Sequence, residues 1–172
     1  ALQFGLRLDR LQPEEKPVLR LFEYLLINGK SSRLYKLLVS RERIALYLNG
    51  GLEDRRGFVS LKIFLLANNQ IMIDRSKKLI SDELNKFKLE MVSERELLKA
   101  KNKYRYDFWS QLTTTNLARA LTLTEFYLDR GQLPDLDNEL AAINKVTSYS
   151  ILALARKYLQ ESKYCFVTIL PR

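Results

Sequence analysis

The placement of two periodicities constrains this fold most. Strand-like alternation falls at the two ends of the chain and in one early pair, and a long helical stretch fills the space between. Leu2, Phe4, Leu6 and Leu8 alternate with Gln3, Gly5, Arg7 and Asp9, which is the period of a strand buried on one face. Ile44, Leu46 and Leu48 alternate with Ala45, Tyr47 and Asn49, and Val59, Leu61, Ile63 and Leu65 form the apolar face of a run from Phe58 to Ala67. Gly50-Gly51 and Arg55-Arg56-Gly57 between these two runs read as turn chemistry, so the pair is expected to be antiparallel. A last run, Tyr164 to Leu170, places Cys165, Val167 and Ile169 on one face.

Helices account for the rest. Val18, Leu21, Phe22, Leu25 and Leu26 share a face that Asn28-Gly29 terminates. Ser31 or Ser32 starts a short helix carrying Leu34, Leu37 and Leu38. Beyond Asn68-Asn69, the apolar residues Ile73, Ile80, Leu84, Phe87 and Met91 keep helical spacing. Ser93-Glu94-Arg95-Glu96 reads as a capping box, with the Ser hydroxyl serving the N3 amide and Glu96 reaching back, and Leu97, Tyr104 and Phe108 continue that helix's inner face. Thr113 to Thr115 begin another helix with Leu117, Leu121 and Leu128 inward, ended by Gly131 and Pro134. Asp137 to Ile143 gives one or two turns, and Thr147 caps a final helix with Ile151, Leu154, Ala155, Tyr158 and Leu159 at the period of 3.6. Strands do not alternate one-to-one with helices, so a doubly wound parallel sheet is disfavoured. The expected class is α+β: two layers, an antiparallel sheet of about four or more strands with helices on one face.

The 172 residues fit a single domain spanning 1–172. Two counts then exclude chemistry. His is 0 and Cys is 1, so the chain cannot assemble a zinc site from nitrogen and sulfur ligands, nor a Ser-His-Asp or Cys-His arrangement. An Asp-x-Asp-x-Asp-Gly calcium loop is also missing from the sequence. No metal and no catalytic residue is therefore assigned to this chain. An intramolecular disulfide is impossible, and cysteine usage does not fix the compartment. No uncharged apolar run nears the roughly 20 residues a bilayer requires, so no membrane association is expected. The chain opens Ala1-Leu2-Gln3 without a signal-peptide pattern, as expected of a processed chain or an excised domain.

The formal net charge is +9, and the pI is about 9.7. Such a surplus favours polyanions or acidic partners without specifying a fold. Basic and aromatic residues interleave from Lys99 to Trp109, a pattern able to bind nucleic acid. On a helix, however, Lys99 and Lys103 share one side and Lys101 and Arg105 another, so the charge spreads around the surface. Tyr104 and Phe108 fall on the apolar face. A solvated helix is the better reading, and nucleic acid is an unlikely partner. Cys165, inside a strand pattern, reads as a small buried apolar residue. Gly29-Lys30-Ser31-Ser32-Arg33 is a helix stop followed at once by a helix start, an αα-corner whose free amides and cations could also meet an anion.

That junction carries a resemblance. Gly29-Lys30-Ser31-Ser32-Arg33-Leu34-Tyr35-Lys36-Leu37-Leu38 resembles the helix junction of the pitrilysin/insulinase family of zinc metallopeptidases, which includes the mitochondrial processing peptidases and bacterial relatives. Ile44-Ala45 falls where members have a strand, and Val92 to Lys101 resembles a family helix start. Leu117 to Gly131 resembles its small-residue helix ending in Gly. Val146-Thr147 followed by Ala155-Arg156-Lys157-Tyr158-Leu159 resembles a late family stretch.

The resemblance implies a two-layer α+β domain found as tandem copies. One copy carries an inverted His-x-x-Glu-His zinc motif and a distal Glu. The second lacks these ligands, and the two close around a peptide. A chain without His resembles only the second kind. The implied function is a non-catalytic, substrate-enclosing domain that pairs with a zinc-bearing homologous domain, with extended peptides as substrate and zinc expected on the partner. Members often hold substrate with an Arg and a Tyr seven apart. Tyr47 matches that Tyr, but Ser40 occupies the Arg position and Arg41 lies one residue off. Tyr47, Arg41 and Arg33 are the substrate-binding candidates, and a bacterial periplasm or cytoplasm is the expected location. The alternatives are a structural or assembly subunit of the same fold and, behind it, a basic nucleic-acid-binding module.

Overall fold

Alternating apolar residues make the sheet, and their spacing in the chain sets its order. The structure is a computed structural model and describes residues 1–9, 11–55, 58–131, 133 and 135–170. Strands β1 (Leu2–Asp9), β2 (Tyr47–Arg55), β3 (Phe58–Leu66) and β4 (Tyr164–Thr168) form one antiparallel sheet in the order β2-β3-β1-β4. The first strand therefore lies inside, with Phe4 opposite Ile63 on one side and Phe166 on the other. Ala1 and Ile169 extend the β1–β4 ladder, the Ile169 N–H donating to the Ala1 carbonyl at 2.9 Å.

The described residues also contain six α-helices: α1 (Lys16–Leu26), α2 (Gln70–Leu89), α3 (Glu94–Thr113), α4 (Asn116–Arg130), α5 (Leu136–Lys145) and α6 (Ser148–Tyr158). A short helix, Tyr35–Arg41, winds as a π-helix. The five helices from α2 onward start alike. Asn69, Ser93, Thr115, Asp135 and Thr147 each turn a side-chain oxygen to the amide three residues on. That satisfies an amide the helix itself leaves unpaired, and each such cap contributes about 1 kcal/mol. Thr147 and Ser150 complete a reciprocal box.

Leu2, Phe4, Leu6 and Leu8 of β1 and Val59, Leu61, Ile63 and Leu65 of β3 turn one face of the sheet into the core. Leu21, Phe22, Leu25 and Leu26 of α1, Ile80, Leu84 and Phe87 of α2, and Ile151, Leu154 and Ala155 of α6 cover it. Phe22 and Phe87 meet edge to face at 4.9 Å. The chain is α+β with its helices on one face of an antiparallel sheet, as the periodicities require.

Several local expectations are corrected. Gly50-Gly51 is no turn: both residues pair within β2, opposite Ile63 and Lys62. A Cβ on Gly50 would sit 2.4 Å from the Lys62 carbonyl, and one on Gly51 2.8 Å from Glu23 Oε1. The glycines let the strand lie close to its neighbours, a use that looks like turn chemistry in sequence. Ile44 and Ala45 are both buried ahead of β2 while Leu46 is exposed, so strand alternation does not hold there. Met91 lies past the end of α2 and is exposed. Leu117, Leu121 and Leu128 face outward, at 70%, 57% and 78% exposure. Cys165 is exposed, because Tyr164 and Phe166 take the covered face of β4. The segment at Asp137 is the ten-residue helix α5. The expected turn at Arg56-Gly57 and the stop at Pro134 lie outside the described residues, whereas Gly131 ends α4 at φ 72°.

Candidate functional site

The junction between α1 and the π-wound helix is held by one arginine. Gly29 adopts φ 80°, and the Ser32 hydroxyl donates to the Gly29 carbonyl at 2.7 Å. This closes the corner and aims Arg33 inward. Arg33 Nε and Nη2 donate to the two carboxylate oxygens of Glu96, each at 2.8 Å, and Nη1 reaches Glu83 at 3.4 Å. The guanidinium also lies 4.1 Å from the centre of the Phe87 ring. Burial works against its charge, but the two carboxylates outweigh that and raise its pKa. Ser93 caps α3 as expected, accepting from the Glu96 N–H at 3.2 Å, while the Glu96 side chain turns to Arg33.

Arg41 and Tyr47 occupy the segment that follows. The Glu42 N–H donates to the Leu37 carbonyl, five residues back, and Ile44 and Ala45 both donate to the Leu38 carbonyl. Arg43 takes φ 53° as the chain leaves this helix, a left-handed conformation rare for a residue with a side chain. A π-turn and a left-handed residue in sequence cluster more often at functional sites than elsewhere. The Arg41 side chain is 79% exposed and 3.5 Å from Glu42, which also pairs with Arg75. Tyr47, 48% exposed, starts β2 and touches Phe64 on the open face of the sheet. Leu66, opposite Tyr47, adds apolar surface. Arg41 and Tyr47 are thus exposed and close in sequence, while Arg33 is anchored in the helical layer.

Behind β2 lies a buried carboxylate. The Leu52 N–H donates to Glu23 Oε1 at 3.3 Å, and Arg20 stands 3.6 Å from Glu23 Oε2. Burial pushes the Glu23 pKa up, and Arg20 offsets this only in part. The Gly50 N–H is held by Asn49 Oδ1 at 2.8 Å. Two amides of the β2 edge are therefore engaged by side chains, which blunts that edge toward an added strand.

Three cations of α3, Lys101, Lys103 and Arg105, are engaged as well. Lys101 donates to the carbonyls of Asn144 and Val146, Lys103 to Asp107, and Arg105 to Asn102 and Asn144. Tyr24 donates to the same Asp107 at 3.0 Å, and its burial beside that carboxylate keeps the phenol protonated. Among the described residues no group of three or more His, Cys, Asp or Glu could hold a metal ion, and no helix is long and apolar enough to cross a membrane. Sequence periodicity missed the exposed side of α4, where Leu117, Leu121 and Leu128 form an apolar stripe. Helical spacing marks such a stripe without saying what covers it.

Comparison with known proteins places this geometry. The family model for the peptidase M16 inactive domain matches residues 1–104. No curated protein matches the chain significantly. Among solved structures, a protease from Helicobacter pylori superposes at TM-score 0.84 with 22% identity, over 96% of this chain and 39% of that one. The inactive peptidase domain of a Bordetella parapertussis protein assigned as a zinc protease gives 0.77 at 17% identity, over 100% and 94%. A chain of complex III2 from Candida albicans gives 0.76 at 14% identity, over 96% and 41%. At these identities the likeness is one of fold. This chain spans well under half of the Helicobacter and Candida chains.

Proposed function

The chain belongs to the peptidase M16 inactive-domain family, and from that premise we propose that it is the non-catalytic wall of a peptide-enclosing zinc peptidase. It pairs with a homologous zinc-bearing domain that supplies the metal. Without histidine, the residues here do not fit zinc, so no hydrolytic step is assigned to them. The observation that carries the pairing is the outer stripe of α4. Three leucines spaced along one helix and left mostly exposed form a surface that association would remove from water.

In this reading the peptide lies against the open sheet face beside Tyr47 and Phe64, with Arg41 as an exposed cation at its border. Arg33 acts indirectly by fixing the corner from which the π-wound helix departs. The blunted β2 edge favours contact through side chains over strand addition along Gly50 to Leu52. The +9 charge favours acidic peptides, and peptide affinity should weaken with added salt if it steers them.

The test is reconstitution. The chain alone, supplied with zinc, should leave a quenched fluorescent peptide intact, and adding the homologous zinc-bearing domain should give turnover. Leu121→Glu with Leu128→Glu should abolish both pairing and turnover. Cleavage by the chain alone, or pairing indifferent to those substitutions, would sink the proposal. The likeness to a complex III2 chain favours a second reading, an assembly subunit of the same fold. That reading predicts a stable complex without turnover.

A further inference from the structure

We infer that the cavity between the Gly29–Arg33 corner and the start of α3 binds a small molecule bearing an oligophosphate. It measures about 350 Å³, the scale of small-ligand sites. Tyr24, Leu25 and Ala100 line it with apolar surface, and Lys36, Arg95, Lys99 and Lys103 bring positive charge.

The carboxylates nearby are already engaged. Glu96 lines the cavity but is held by both arms of Arg33, and Asp107 takes Lys103 and Tyr24. Among the described residues, the side chains of Lys36, Arg95 and Lys99 have no ion-pair or hydrogen-bond partner. Arg95 and Lys99 stand four apart on α3, where like charges repel. Lys36 comes to the same cavity from the π-wound helix. Cations gathered from two elements around one cavity, whose one lining carboxylate is already taken by Arg33, leave a place for an anion from outside.

The other donors suit phosphate. Ser31 and Ser93 both line the cavity; Ser93 uses its oxygen as the α3 cap, which leaves its O–H free to donate. The first amides of α3 open at the same end. Three free cations and two hydroxyls offer more donors than one carboxylate accepts, and they match the several oxygens of a phosphate chain. The apolar floor fits the remainder of such a molecule. This inference does not rest on the peptide-enclosing reading, since Tyr47 and Arg41 do not line the cavity.

The experiment is calorimetric titration of the full chain with inorganic tripolyphosphate at fixed ionic strength, beside orthophosphate and hexaglutamate. Tripolyphosphate should bind saturably and more tightly than either. Lys36→Gln with Lys99→Gln should weaken it about tenfold or more, and Arg95→Gln should also weaken it. The control pair Lys78→Gln with Lys163→Gln removes the same charge elsewhere and should leave it unchanged. Absence of saturable heat, equal loss in the control pair, or hexaglutamate binding as tightly as tripolyphosphate would each overturn the assignment, the last by giving the cavity to an acidic peptide.

Discussion

Arg33 and Glu96 meet in a two-pronged pair, Nε to Oε1 and Nη2 to Oε2, across 63 residues of sequence. The pair joins the corner after α1 to the first turn of α3, and Glu83 ties the same guanidinium to α2. One side chain thus fixes three elements. Its fork matches a carboxylate in a way that an ammonium group does not. Arg33→Ala should cost about 2–4 kcal/mol, since it leaves the part-buried Glu96 carboxylate without its cation and Glu83 with Lys86 alone. Arg33→Lys should recover only part of that. Urea unfolding measures both, and a loss below about 0.5 kcal/mol for the Ala variant would show the pair to be ornamental.

The glycine pair of β2 gives a sharper contrast. Gly50→Ala forces a methyl against the Lys62 carbonyl, which is backbone and cannot swing away. A destabilisation of about 1–3 kcal/mol is expected. Gly51→Ala meets only the end of the Glu23 side chain and should cost less. Were the pair a surface turn, both changes would be near neutral or stabilising, so thermal melts of the two variants separate the cases.

Glu23 makes stability depend on pH in a defined direction. Its folded pKa is raised by burial above the ordinary value of 4.5. Between the unfolded and folded values the native state holds more protons, so stability falls as pH rises through that window. Glu23→Gln keeps an acceptor for the Leu52 amide and removes the charge. The variant should be more stable than the parent at neutral pH, with the advantage closing toward pH 4. The lost Arg20 attraction is small because Arg20 is about half exposed. Denaturant midpoints across pH 4 to 8 measure this, and a constant difference would contradict it.

The outer face of α4 should contribute to association without contributing to folding. Leu117→Gln with Leu128→Gln removes two leucines that are 70% and 78% exposed. Monomer stability should stay within about 0.5 kcal/mol for each change. Binding to the homologous partner domain should weaken, as sedimentation of the mixture would read. A melt lowered by several degrees would mean that this face packs within the monomer.

Local chemistry was legible where one element's own residues set it. Alternation located β1 and β3, and Ser93, Thr147 and Gly131 marked the helix ends they cap or stop, because a cap acts within about one turn of its own residue. The corner at Gly29–Arg33 points to the family, and the absence of histidine from the sequence rules out a zinc site built on imidazole. Partnership was not legible. The capping motif at Ser93 predicted where the helix starts but not that Glu96 would turn to Arg33. Gly50-Gly51 looked like a turn because the Lys62 carbonyl and Glu23 approach it only in the folded sheet. The leucines of α4 kept perfect helical spacing, yet spacing defines a face and not what covers it. Sequence determined those elements and ends, such as β1, β3 and the starts of α3 and α6, that rest on contacts within a few residues. The tertiary structure alone decided which groups from distant segments would meet, since that depends on how the elements cross.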